Sequence, residues 1–406
     1  MRRVFVTGYG IISAFGNSWE ENKKGMQKGR NCTKFMNEWQ NFKDLNTKLA
    51  CPIINYNHPK DWSRKQLRSM GRVSQFSVDA AGIALKKAKL NEDEIQDGSM
   101  GVASGSSTGS TDAVASMAKL VLEGESDCNA NTYIKMMPHT TASNIGIFYG
   151  LKGRIVPTSS ACTSASHAIG YSYEMIKFGL IDKMIAGGAE ELCPSEAYVF
   201  DSLFATSCQN DALDLTPKPF DKDRDGLVLG EGAGYLILES EESVLKRDIK
   251  PIAEIVGFGS TSDGTHITQP NSQTMKQAMI LALKSANLTT KDIKYINAHA
   301  TATTLGDIAE SIATNELFGE KIAISSTKSY LGHTLGACGG IEAIFSIEMM
   351  NDKIFYPTIN LKNIDEKCAK LNYLKEICEI ETDFVMSNNF AFGGVNTSLI
   401  FKKIKD

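Results

Sequence analysis

The chain has 406 residues, 42% of them hydrophobic and 22% charged, with a formal net charge of −4. That composition is ordinary for a globular protein, gives core enough for two or three domains or two fused halves, and is too acidic for a general nucleic-acid binder. No apolar run approaches the ~18 residues a membrane span needs, and nine cysteines without a CxxC pair read as reduced thiols in a cytoplasm-like compartment.

The N-terminal run Arg3-Val-Phe-Val-Thr7 alternates as a buried strand and ends at Gly8 and Gly10. It lacks a signal-peptide cleavage site, and its apolar stretch is broken by Thr7, Gly8 and Gly10. The same pattern returns later: VTGYGIIS (6–13) matches IVGFGSTS (255–262). After each copy comes an amphipathic helix (84–90 and 282–288), a short polar turn, and a strand, MGVASGSS (100–107) or YINAHATA (295–302). RIVPTSSAC (154–162) then parallels KIAISSTKS (321–329), and KMIAGGAEEL (183–192) parallels FVMSNNFAFGG (384–394). Two long copies of one β–turn–α–β order predict a duplicated α/β fold with mixed sheets covered by helices, divided into residues 1–250 and 251–406. The first half carries extra segments at 30–75, 108–150 and 193–226.

Several motifs fail on their spacing. Asp221-x-Asp223-x-Asp225-Gly226 opens like a calcium loop, but the twelfth position is Gly232 and a strand-like run follows. Gly230-x-Gly232-x-Gly234 opens a strand, and Gly8-x-Gly10 lacks a third glycine, so neither is a dinucleotide fingerprint. The six histidines have no close metal spacing, and no metal is expected.

The informative stretch is Pro157-Thr-Ser-Ser-Ala-Cys162-Thr-Ser-Ala-Ser-His167, a strand end passing into a helix-like run. At a helix start, unpaired amides and the dipole favour a thiolate, which would make Cys162 a nucleophile. The duplication sets the strand ends of the second half opposite it. Those ends carry His299 in NAHATAT (297–303) and Lys328 and His333 in SSTKSYLGHTLGA (325–337). One histidine on an apolar strand is usually a packed residue. Two at small-residue strand ends facing a cysteine read as a reaction centre.

At these residues the chain resembles the elongating β-ketoacyl-acyl carrier protein synthases. The resemblance runs through SSACTSA, HATAT with Gly306-Asp307 and Glu310, STKSYLGHTLGA, Glu342 and SNNFAFGGVN (387–396), and covers essentially the whole sequence. It implies a duplicated thiolase-like fold, five-layered α-β-α-β-α with two mixed sheets. It implies that Cys162 takes the acyl chain as a thioester and that His299 and His333 stabilise the enolate left when malonyl thioester loses carbon dioxide. The backbone N–H groups of Cys162 and Phe392 would form the oxyanion hole. Lys328 would orient the site and pair with Glu310, with Asp307 as structural support, and Phe392 and Phe390 would gate the acyl pocket, whose floor includes Thr108. No cofactor is implied, since substrates ride on the phosphopantetheine of an acyl carrier protein, and a cytoplasmic homodimer is expected.

Lys65, Arg68 and Arg72 fall at helical i, i+3 and i+7 positions, a basic patch matching the carrier-protein dock of the family. Ala300 and Thr304 stand where the family commonly has glycine and proline. That departure bears on substrate preference and opens a second expectation, a dedicated ketosynthase of a polyene or polyketide-type pathway instead of fatty-acid elongation. A non-catalytic chain-length subunit fits less well, because such subunits lose the cysteine.

Overall fold

The computed structural model describes residues 1–125 and 127–405. Among these, eleven strands form one hydrogen-bonded sheet: β1 (Val4–Ile12), β2 (Met100–Gly105), β3 (Ile155–Thr158), β4 (Lys183–Glu190), β5 (Gly232–Ser240), β6 (Ala253–Ser262), β7 (Tyr295–Asn297), β8 (Ala323–Ser325), β9 (Asn372–Tyr373), β10 (Phe384–Ala391) and β11 (Val395–Lys403). Their order is β9-β8-β7-β10-β11-β6-β1-β5-β4-β2-β3. The first half reads β3-β2-β4-β5-β1 and the second β8-β7-β10-β11-β6. In each, the first two pairings are parallel and the next two antiparallel. Two mixed sheets of one topology thus meet edge to edge, where β1 pairs antiparallel with β6 at Val4–Ile255, Phe5–Glu254 and Val6–Ala253.

Helices α1 (Arg72–Lys87) and α2 (Thr140–Tyr149) cover the outer face of the first sheet, and α4 (Ser272–Ala286) and α5 (Thr304–Phe318) that of the second. Between the sheets lie α3 (Ser164–Lys177) and α6 (Cys338–Asp352), which touch each other and strands of both halves. The five layers follow from these contacts. The repeated Gly-x-Gly has a packing cause. A β-carbon at Gly8 or Gly10 would overlap the backbone of α1 at Ala84 and Ala80, and one at Gly257 or Gly259 that of α4 at Ala282 and Ala278. Each outer helix thus rests directly on the first strand of its own half.

No helix among the described residues is long and apolar enough to cross a membrane. The Asp221–Asp225 run acts as a structural clasp: Asp221 accepts from the Lys362 and Asn363 amides at 2.7 and 2.8 Å, and Asp225 from Cys208 N at 2.9 Å.

Candidate active site

The carboxyl ends of the parallel strands converge on one cleft. Cys162 follows β3 and precedes α3, just after Ala161, whose left-handed backbone (φ 52°) makes the sharp reversal into the helix. His299 lies two residues past β7. His333 follows β8 and the one-turn helix Lys328–Leu331. Cys162 Sγ and one ring nitrogen each of His299 and His333 lie within 4.8 Å of one another, and all three residues are buried. His333 Nε2 is 2.9 Å from Sγ. The two rings stand nearly perpendicular with centroids 5.1 Å apart. This donor set could also hold a thiophilic metal ion.

The thiol differs from the sequence expectation. Burial pushes Cys162 up to about 12, against the opposing pull of Lys328 and of the Phe392 and Cys162 backbone N–H groups. The helix terminus does not win, because desolvating a thiolate costs more than a partial dipole returns. The resting group is the thiol, hydrogen-bonded to His333. Alkylation of Cys162 is therefore expected to accelerate about tenfold per pH unit, with no plateau below about pH 10. A plateau near neutrality in the labelling rate would contradict this. Both histidines are held neutral: burial drives them well below the ordinary imidazole value, helped by Lys328 and, for His299, by His333.

The supporting residues divide the work differently from the expectation. Glu310, on α5, accepts from the amides of His299 (2.9 Å) and Ala300 (2.7 Å), fixing the histidine turn through its backbone. Burial raises it to about 8. Lys328 Nζ is hydrogen-bonded not to Glu310 but to Glu342 on α6. Asp307 accepts from Phe220 N (2.7 Å) and Ala302 N (3.2 Å), and Arg224 Nε lies 3.5 Å away. Phe392 stacks on Phe200 with centroids 5.2 Å apart, Phe390 stands 6.3 Å from His299, and all four line the cleft.

Thr108, expected on the acyl-pocket floor, is half-buried, and its hydroxyl donates to Glu196 at 2.8 Å. One expected placement needs correction. Arg72 is not a free docking residue, nor on one helix with the other two. The helix Arg64–Leu67 stops after one turn, leaving Lys65 and Arg68 exposed, while Arg72 opens α1 and grips Glu231 with two hydrogen bonds of 2.9 and 2.7 Å. Glu231 is 3% exposed. Arg72→Ala should therefore lower stability, because it leaves buried Glu231 to the Ile53 and Leu192 amides alone, visible as an earlier urea midpoint.

Other residues were given no role by the sequence. Glu190 accepts from Ser106 Oγ (2.6 Å), Ser107 N (2.6 Å) and Gly336 N (2.9 Å), tying the loop after β2 to the loop after His333. The 228–230 stretch holds the backbone of His333: its N–H donates to Val228 O (2.7 Å), and its carbonyl accepts from Gly230 N (2.9 Å). Asn389 Nδ2 donates to Glu342 Oε2 at 2.7 Å, and Cys338 Sγ donates to Cys162 O at 3.2 Å. Such contacts join segments distant in sequence and carry no local pattern.

Comparison with known proteins agrees with this geometry. The beta-ketoacyl synthase N-terminal domain profile matches residues 1–243 and the C-terminal domain profile residues 252–362. The 3-oxoacyl-[acyl-carrier-protein] synthase 2 of Vibrio harveyi is 34% identical over 413 residues, 100% of this chain and 99% of the relative. The crystal structure of a beta-ketoacyl synthase from Burkholderia phymatum STM815 superposes with a TM-score of 0.98 at 52% identity, covering 100% of both chains. The ishigamide ketosynthase/chain length factor superposes at 0.90 with 28% identity, again over 100% of both. With both domain profiles matched in order and a cysteine facing two histidines across the seam, the chain belongs to the beta-ketoacyl synthase family.

Proposed function

We propose that this protein joins an acyl chain to malonyl-acyl carrier protein by decarboxylative Claisen condensation, giving 3-oxoacyl-acyl carrier protein in fatty-acid elongation. The observation that carries this reading is the juxtaposition of Cys162 with His299 and His333 at the end of one cleft. Residues 1–250 supply the nucleophile and 251–406 the histidines. In the first half-reaction Cys162 sulfur attacks the acyl thioester carbonyl while the His333 Nε2–H stabilises the charge growing on it, and the carrier thiol departs with the proton that the Cys162 thiol gives up. In the second, malonyl thioester loses carbon dioxide, and imidazole N–H groups meet the charge growing on its oxygen. The enolate carbon then attacks acyl-Cys162, and the Cys162 and Phe392 amides hold the tetrahedral oxyanion. Lys328 and Glu342, paired and buried, set the field around both histidines. No cofactor enters these steps. The protein acts in the cytoplasm as a homodimer.

The carrier docks on the exposed pair Lys65 and Arg68, whose charge complements an acidic carrier. Lys65→Glu combined with Arg68→Glu should raise the KM for carrier-bound substrate at low salt, and leave acylation by small thioesters and the melting temperature unchanged. An unchanged carrier KM would remove the patch from the site.

A second reading, a dedicated ketosynthase of a polyene or polyketide-type pathway, draws support from the likeness to the ishigamide ketosynthase. Extension of a panel of saturated, unsaturated and short acyl-carrier thioesters, with products read by mass spectrometry, separates the two. Repeated extension of saturated chains supports elongation, selective use of unsaturated chains supports the second reading, and no extension of any refutes both.

A further inference from the structure

His299 is neutral and carries one ring proton, so whether it can stabilise a growing oxyanion depends on which nitrogen holds that proton. Asn389, near the end of β10, bears on that choice. Its amide orientation is determined by two partners: Oδ1 accepts from Ser166 Oγ on α3, and Nδ2 donates to Glu342 Oε2 at 2.7 Å. Turning the amide over would set its oxygen against the Glu342 carboxylate and forfeit the bond from Ser166. The packing leaves little room for another arrangement, because Gly339 at the start of α6 presses against Ser166 so closely that a β-carbon there would overlap Ser166 Oγ.

Nδ2 has a second proton. Two acceptors lie within reach of it, His299 Nδ1 and Cys338 Sγ, each at 3.5 Å. The sulfur is the weaker acceptor of the two. A donor facing Nδ1 favours a bare lone pair there. The ring proton then sits on Nε2, the nitrogen remote from Asn389, on a residue that lines the cleft.

We infer that Asn389 is a positioning residue that holds His299 as its Nε2–H tautomer, so that the imidazole offers the cleft a proton donor. Asn389 touches no reacting atom. It acts through His299 and takes its own orientation from Ser166 and from the Glu342–Lys328 pair. The link to decarboxylation rests on the function proposed above, whereas the tautomer does not.

The test reads the tautomer directly. In protein labelled with ¹⁵N-histidine, protonated and bare ring nitrogens give well-separated NMR signals, and loss of one set in His299→Asn assigns them. The native protein should show a bare Nδ1 and a protonated Nε2. Asn389→Asp keeps the shape but puts an oxygen opposite Nδ1. It should move the ring proton to Nδ1 and slow malonyl decarboxylation about tenfold to a hundredfold, with acyl transfer to Cys162 within about twofold. A native protein with its proton on Nδ1, or an Asp variant in which His299 keeps the Nε2 proton, overturns the inference. If the Asp variant fails to fold, Asn389→Leu and the native spectrum decide the same question, since Leu offers Nδ1 no donor and should give a mixture. A tautomer that switches as stated in a protein that never decarboxylates malonyl thioester would refute the proposed function and leave the role of Asn389 intact.

Discussion

Cys162→Ala is expected to abolish condensation altogether. Among the described residues no other thiol is grouped with both histidines: Cys338, the near neighbour, directs its proton to the Cys162 carbonyl, is buried, and is pushed well above the usual thiol value by that burial. The variant should therefore fail to form an acyl-enzyme adduct by mass spectrometry and should lose the labelling described above. Its fold should persist, because trading a buried thiol for a methyl removes little volume. Malonyl decarboxylation, which needs the histidines and not the sulfur, should survive in part. Condensation by Cys162→Ala would show that the acyl chain is carried elsewhere.

His299→Ala and His333→Ala should each lower malonyl decarboxylation by about 100- to 1,000-fold, the usual loss when one donor to a developing oxyanion is removed. They should differ in the other half-reaction. His299→Ala should still accept an acyl chain on Cys162. His333→Ala should accept it slowly, because Nε2 of His333 is 2.9 Å from the sulfur and the thiol stays protonated at rest. Radiolabelled acyl transfer and carbon dioxide release, measured separately, give four rates. Unimpaired decarboxylation in either variant would remove that histidine from the scheme, and equal acyl transfer in both would make the Cys162–His333 contact incidental.

The sequence disclosed the duplication because its cause is local: the Gly-x-Gly of each first strand must admit the backbone of an outer helix, and that need recurs at Gly8 and Gly257 alike. It disclosed the positions of Cys162, His299, His333 and Lys328 because strand ends in an α/β sheet must come together. It misjudged the partners. Lys328 pairs with Glu342 on α6 while Glu310 holds the His299 and Ala300 amides, a division no spacing reveals. The thiol was expected to be ionised by a helix terminus, an effect of one turn of chain, but burial by both halves outweighs it. Arg72 kept helical spacing with Lys65 and Arg68 on paper, yet the helix ends after Leu67 and Glu231, far along the chain, claims the guanidinium. In each case the deciding group comes from a segment with no periodic relation to the residue it meets.

The seam between the sheets also constrains the order in which the chain can be built. Strand β1 needs β5 on one side and β6 on the other, and β6 in turn needs β11. The emerging polypeptide therefore carries an open strand edge from the time β6 leaves the ribosome until residues 395–403 follow. At ordinary translation speeds that is on the order of ten seconds. An unpaired edge invites pairing with neighbouring chains. Nascent copies on one messenger should thus depend on chaperones during this interval, and a stop codon before Val395 should yield insoluble protein, not a shortened enzyme.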